Sequence, residues 1–111
     1  LSYDIQKYHR DAGNIFLQSR AEYLYRCIEN NIRNGMAAGL YRKDIDAEIL
    51  TRLRLEQIDL VFNSMTFPPE RYPPAHVLTC LTDHFVYGLS TPEGQGQILK
   101  YKSIEDQNLY I

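Results

Sequence analysis

The sequence contains no tryptophan, only two cysteines and no apolar run long enough to cross a membrane. Cys27 and Cys80 are too few for a disulfide framework and are typical of a protein in a reducing compartment. A transmembrane helix needs about 20 consecutive apolar residues, and the chain does not open with a signal-peptide pattern. We therefore expect a cytoplasmic protein with no part in a membrane.

The chain also lacks an excess of positive charge. It has 12 lysines and arginines against 14 aspartates and glutamates, which gives a net charge of -2. Surfaces that bind nucleic acid normally show a clear basic excess. This chain is therefore not expected to bind DNA by itself.

The length and hydrophobic content indicate one folded domain over residues 1–111. Hydrophobic residues make up 44% of the sequence, which is ordinary for a globular protein, and two domains of half this length would each be small. The chain begins at Leu1, and Ser2 to His9 already resemble the interior of a helix. We expect that an N-terminal part of a longer protein has been removed.

The stretch from Asp46 to Phe62 predicts a helix with apolar residues around most of its circumference. Asp46 suits the N-cap position, since its carboxylate can accept hydrogen bonds from the first free amides. The polar side chains gather on a strip about 80° wide; they are Glu48, Arg52, Glu56, Asp59 and Asn63. A surface helix of a monomer needs an apolar stripe only somewhat wider than about 100°. We therefore expect this helix to pack against its own domain on one side and against a partner on the other.

The rest of the chain predicts an all-α fold, a bundle of about five helices with a two-helix dimer face. Besides 46–62, helices are expected at residues 1–9, 14–38, 74–90 and from Pro92 to about residue 102. Gly39 is expected to end the second helix with a positive φ, Pro74 to occupy the first position of its helix, and Thr91 to cap the last. The proline-rich stretch 63–74 predicts a stiff loop, and 103–111 a fraying tail.

The spacing of the candidate metal-binding and catalytic residues does not place them at a common site. His76, Cys80 and His84 follow one another at four-residue spacing on one helix, but the two histidines would be roughly 12 Å apart. Asp83 and His84 are neighbours on a helix and point apart, and the EGQGQ segment lacks the lysine of a phosphate-binding loop. We therefore expect no enzymatic activity, no metal and no cofactor.

A ligand pocket is expected beside a mixed line of residues on the 14–38 helix. Phe16, Arg20, Tyr23 and Cys27 form this line, and the chain's nine tyrosines can contact apolar groups and still form hydrogen bonds. Arg54 and Gln57 interrupt the apolar part of the helix 46–62 and need polar partners when buried. These six residues are the candidate pocket; the alternative is that the tyrosines fill the edge of the core.

Three segments of the sequence resemble the C-terminal half of TetR/AcrR-family transcriptional regulators, particularly those of Bacteroidetes-like bacteria. They are GMAAGLYRKDIDAEILTRLRLEQI, FPPERYPP and DHFVYGLSTPEGQGQILKYK, and the resemblance extends over nearly the whole chain. It implies a homodimeric domain that binds an unknown small apolar or amphipathic effector. DNA would be bound only by the family's N-terminal helix-turn-helix, which we expect to be missing from this chain.

The resemblance also implies that helices 46–62 and 74–90 pair with their symmetry mates in a four-helix bundle. The candidate interface residues are Leu55, Ile58, Phe62, Leu81, His84, Phe85 and Gly88. Effector binding would then control a repressor by an allosteric change. The alternative is a purely structural helical module that dimerises without a ligand.

Overall fold

Four α-helices make up most of the computed structural model, which describes residues 12–108 and the surroundings of side chains 18–103. The helices are α1 (Ala12–Ala37), α2 (Ala47–Val61), α3 (Pro74–Leu89) and α4 (Pro92–Asn108). Within the described residues the fold is all-α, as the sequence predicts, and an isolated bridge between Tyr41 and Ser90 is its one β-type contact. The helix predicted for residues 1–9 lies outside the described residues.

Capping hydrogen bonds, a glycine and a proline determine where the helices begin and end. The carboxylate of Asp46 accepts a hydrogen bond from the Ile49 amide at 3.1 Å, which confirms the predicted N-cap of α2. Gly39 has a φ of 77° just beyond α1, a conformation that side chains other than hydrogen disfavour. Pro74 opens α3, and the Thr91 hydroxyl accepts from the Gly94 amide at 3.1 Å to cap α4.

The C-terminal tail is shorter than the sequence predicts. Residues 103–108, expected to fray, continue α4 as far as Asn108. The helix persists because no glycine or proline follows Gly96, so nothing in the backbone chemistry ends it.

The loop between α2 and α3 is neither helix nor strand, as its prolines predict. At its start the Asn63 side chain accepts hydrogen bonds from the amides of Met65 and Thr66, which turns the chain away from α2. The rings of Phe67 and Tyr72 meet edge to face with their centroids 5.7 Å apart. These contacts hold the loop in a series of turns.

Helix α2 is central to the fold because it packs against both α1 and α3. One side of α2 is buried by the chain itself, through Ala47, Thr51, Leu55 and Val61. The core cluster continues through Ile32 of α1 and through Phe85 and Leu89 of α3. On the other side of α2, Ile49 is 62% exposed and Leu53 is 46% exposed. The chain alone therefore covers only part of the apolar surface of α2.

Helix α4 is attached through the segment that joins α1 to α2. The Thr91 amide donates to the Leu40 carbonyl at 3.0 Å, and the Thr91 hydroxyl donates to the Gly39 carbonyl at 2.8 Å. The backbone of Gly94 also lies directly against Leu40. No helix among the described residues is long and apolar enough to cross a membrane.

Replacing Asp46 with alanine is expected to lower the free energy of unfolding by about 1 kcal/mol, because the Ile49 amide loses its acceptor. Asp44→Ala is the matched control, since Asp44 caps no helix and pairs with exposed Arg42 on the surface. Its effect is expected to stay below about 0.5 kcal/mol. Urea denaturation of the two variants measures the difference, and equal effects would contradict the capping role.

Candidate functional site: a cavity and a groove that share Phe85 and Leu89

A cavity of about 270 Å³ lies between α1, α2 and α3; we call it the three-helix cavity. Its walls are largely apolar, and its polar groups come from three helices and the α1–α2 connector: Cys27, Asn31, Tyr41, Arg54 and Thr82. The cavity is open on one side. It therefore has the mixed lining of a small-molecule site, an apolar wall with a few polar groups.

Arg54 is the charged residue of this cavity. It points from α2 towards α3, where its Nη2 donates a hydrogen bond of 2.6 Å to the Thr82 hydroxyl. Its guanidinium carbon lies 5.6 Å from the centroid of the Phe85 ring, within the range of a cation–π contact. Its other terminal nitrogen, Nη1, is buried and has no hydrogen-bond partner among the described residues.

Partial burial changes the pKa of Arg54. Loss of water disfavours the charged form and lowers the pKa of Arg54 from its ordinary value. A guanidinium still keeps its proton at neutral pH. The wall of the cavity therefore includes a cation, whose Nη1 atom is enclosed by the protein.

Tyr41 contributes a neutral polar group to the same cavity. Its hydroxyl donates to the side-chain oxygen of Asn31 at 3.5 Å, and burial raises the pKa of Tyr41. The phenol consequently remains protonated at neutral pH. It can act as a hydrogen-bond donor without adding charge.

A second depression lies between α2 and α3, on a neighbouring face of α3; we call it the α2–α3 groove. Its volume is about 250 Å³, and its sides are formed by Leu50, Leu53 and Gln57 of α2 and by His84 and Gly88 of α3. The Gln57 Oε1 atom is buried and has no hydrogen-bond partner within the described part of the chain. Phe85 and Leu89 line both the groove and the three-helix cavity. Any displacement of these two side chains therefore alters both surfaces.

The six residues predicted for the ligand pocket are only partly brought together. Cys27 and Arg54 line the three-helix cavity, whereas Gln57 lines the α2–α3 groove. Tyr23 is 71% exposed, and a hydrogen bond with Cys27 raises its pKa. Arg20 is also exposed. The side chain of Phe16 lies outside those whose surroundings are described.

The seven residues predicted for the dimer interface do not form one surface. Leu55 and Phe85 are each only 8% exposed, because they pack in the chain's own core and offer little surface to a partner. Phe62 is 72% exposed but lies roughly half a turn around α2 from Leu53. Of the remaining four, Ile58 on α2 and Leu81 on α3 are partly buried, while His84 and Gly88 on α3 are exposed.

The residues considered for metal binding or catalysis do not form one cluster in the described part of the chain. The His76 Nε2 and Cys80 Sγ atoms are 3.7 Å from each other, one turn apart on α3. Asp83 accepts a hydrogen bond of 2.7 Å from the Lys102 ammonium group. In the part of the chain that the structure describes, no three histidine, cysteine, aspartate or glutamate side chains are placed to hold a metal ion.

A further cavity of about 390 Å³ lies between the end of α1 and α4, lined in part by Leu40, Tyr41, Ile98 and Tyr101.

Comparison with family models, characterised proteins and solved structures finds no match to this chain.

Proposed function

We propose that this chain is the effector-binding and homodimerisation domain of a cytoplasmic bacterial transcriptional regulator, a repressor of the TetR/AcrR type. The observation that carries the proposal is a pair of neighbouring concave surfaces that are both lined by Phe85 and Leu89. One surface suits a small molecule and the other suits a second copy of the chain. The sequence resemblance supports the same function.

The three-helix cavity supports the ligand-binding part of the proposal. Its volume of about 270 Å³ is near the lower end of the range for small-molecule sites, about 300–1,000 Å³. Apolar side chains supply most of its wall, and Asn31, Tyr41 and Arg54 supply polar groups. A small amphipathic effector would bury its apolar part there and place its polar group beside these side chains.

The α2–α3 groove supports the dimerisation part. Ile49 and Leu53 are one turn apart on the exposed side of α2, and His84 and Gly88 are one turn apart on the facing side of α3. Gly88 leaves open space where a side chain would be, so another helix could approach closely. A second copy packed here would cover the apolar surface of α2 that its own chain leaves exposed.

The shared residues provide a mechanism for regulation. An effector in the three-helix cavity contacts Phe85, and a shift of Phe85 changes the wall of the α2–α3 groove. If the effector binds one arrangement of α3 more tightly, it changes how the two copies sit against each other. The separation of the DNA-binding parts would change with it.

Replacing Leu53 with glutamate is expected to weaken the dimer at least about tenfold, because burial of a leucine contributes about 1.5–3 kcal/mol. The fold should survive, since Leu53 is 46% exposed. Leu24→Glu on α1 is the matched control, with a leucine that is 38% exposed and outside the groove. Sedimentation velocity against a monomer mass of 13.0 kDa measures the effect.

A wild-type chain that sediments as a monomer would contradict the proposed dimer. An intact Leu53→Glu dimer would contradict this location of the interface. Native mass spectrometry of protein purified from its own host tests the ligand-binding part, and a retained small molecule is expected. A dimer that never retains one would favour the purely structural module.

A further inference from the structure

We propose that α4 is a strap over the cavity of about 390 Å³ between the end of α1 and α4, and that its part beyond Gly94 opens as a unit. Opening uncovers this cavity, which we call the α1–α4 cavity, and leaves α1, α2 and α3 folded. The closed strap is held at its far end by Lys102. Gln97, Ile98 and Tyr101 line the cavity between the two ends.

The near end of α4 is held by the backbone of the α1–α2 connector. Gly94 is buried, and its backbone lies directly against Leu40. The Thr91 amide donates to the Leu40 carbonyl, and the Thr91 hydroxyl donates to the Gly39 carbonyl. These contacts involve main-chain groups that cannot rotate away, so this end is expected to stay in place.

Beyond Gly94, the helix buries little of its surface. Of residues 95–103, only Ile98 and Lys102 are partly buried, and the others are exposed. Helix α1 packs closely on α2, and α2 on α3, whereas α4 has no comparable packing against any described helix. Burial of apolar surface is the main force that holds a helix to its neighbours. Detaching this part of α4 therefore costs less free energy than unfolding the core.

The far end of α4 is fastened to α3 by one lysine. The Lys102 ammonium group donates a hydrogen bond of 2.7 Å to the Asp83 carboxylate and lies 5.7 Å from the centroid of the Tyr87 ring. Asp83 and Tyr87 are one turn apart on α3. Both members of the ion pair are partly exposed, so its contribution is modest and falls as salt increases. Such a contact can act as a latch, because it closes the strap without making closure permanent.

The detached part of α4 is not expected to remain a helix. Short isolated helices are only marginally stable in water, and Gly96 lowers the helix propensity just beyond the attached end. The amides of the opened strap therefore lose their hydrogen bonds. Hydrogen exchange of those amides then measures how often the strap opens.

The test is hydrogen exchange of the 111-residue chain, followed residue by residue by NMR. The amides of residues 98–103 are expected to share one protection factor, about tenfold or more below those of Ile32 and Val61 in the core. The amide of Gln95, bonded to the Thr91 carbonyl at the attached end, is expected to be better protected than residues 98–103. Protection equal to that of the core would overturn the strap. So would protection that is core-like at Ile98 and falls steadily along the helix, because that pattern is fraying from the end.

Replacing Lys102 with methionine tests the latch. The protection factors of residues 98–103 are expected to fall by about threefold or more, while those of Ile32 and Val61 stay unchanged. Raising the NaCl concentration from about 20 mM to about 500 mM is expected to act in the same direction on the wild-type chain, but not on the variant. Asp83→Asn removes the other charge of the pair and should reproduce the effect of Lys102→Met.

Lys100→Met is the matched control, because it removes the same charge from an exposed position two residues earlier on α4. It is expected to leave the protection of residues 98–103 unchanged. An equal loss of protection in Lys100→Met would overturn the role of Lys102, as would unchanged protection in both Lys102→Met and Asp83→Asn. The measurement requires neither an effector nor a dimer, so its outcome is independent of the proposed regulator function.

Discussion

Replacing Phe85 with alanine is expected to lower the free energy of unfolding by about 3–5 kcal/mol, which is typical of a buried phenylalanine. Phe85 is 8% exposed and belongs to the core cluster with Ile32, Ala47 and Leu89. Its loss also removes the ring beneath the Arg54 guanidinium. Urea denaturation, with a check that its slope is unchanged, measures the effect.

Phe62→Ala is the matched control for this experiment. Phe62 is 72% exposed at the end of α2, so the same truncation is expected to change the free energy of unfolding by less than about 0.5 kcal/mol. Similar effects at the two positions would contradict the core position of Phe85.

The position of Phe85 also determines which variants can test the dimer. An aspartate at position 85 would put an unpaired charge among core residues and is expected to unfold the chain. Loss of the dimer in that variant would therefore not identify an interface. Leu53 is a better site for the test, because it borders the α2–α3 groove and is 46% exposed.

The helices and their ends could be predicted because they depend on local chemistry. The Asp46 cap, the positive φ of Gly39 and the position of Pro74 each follow from one residue and its immediate neighbours. The end of α4 was less predictable, because no residue after Gly96 clearly ends a helix.

The candidate site could be predicted only in part. Arg54 is recognisable because it interrupts the apolar part of the 46–62 helix, and Cys27 because it belongs to the mixed line on the 14–38 helix. Tyr41 and Thr82 reach the same cavity because the α1–α2 connector and α3 converge on it. Periodicity along one helix contains no information about that convergence.

Prediction from the sequence is limited in the same way for the apolar surface of α2. The helical pattern predicts too much apolar surface for one neighbour, but it does not say which side the chain covers. Packing decides this: Thr51 is fully buried, whereas Ile49 is 62% exposed. The interface set drawn from the sequence consequently mixes core residues such as Leu55 with surface residues such as Phe62.

Replacing Gly94 with alanine is expected to lower the free energy of unfolding by about 1–3 kcal/mol, as overpacking in a tight contact does. A Cβ atom on Gly94 would collide with the carbonyl oxygen of Leu40, and a backbone atom cannot rotate away as a side chain can. Helix α4 would have to move off the connector. That movement would strain the hydrogen bond from the Thr91 amide to the same carbonyl.

Gly96→Ala is the matched control, two residues further along α4. A Cβ atom there meets nothing within 4 Å, so only the gain in helix propensity remains. This variant is expected to raise the free energy of unfolding by about 0.5–1 kcal/mol. The sequence alone predicts the same gain at both glycines, whereas the packing of α4 on Leu40 predicts opposite signs. Thermal or urea denaturation decides between them: if both variants are stabilised, Gly94 does not lie against the connector, and the cavity between α1 and α4 loses the contact that positions its wall.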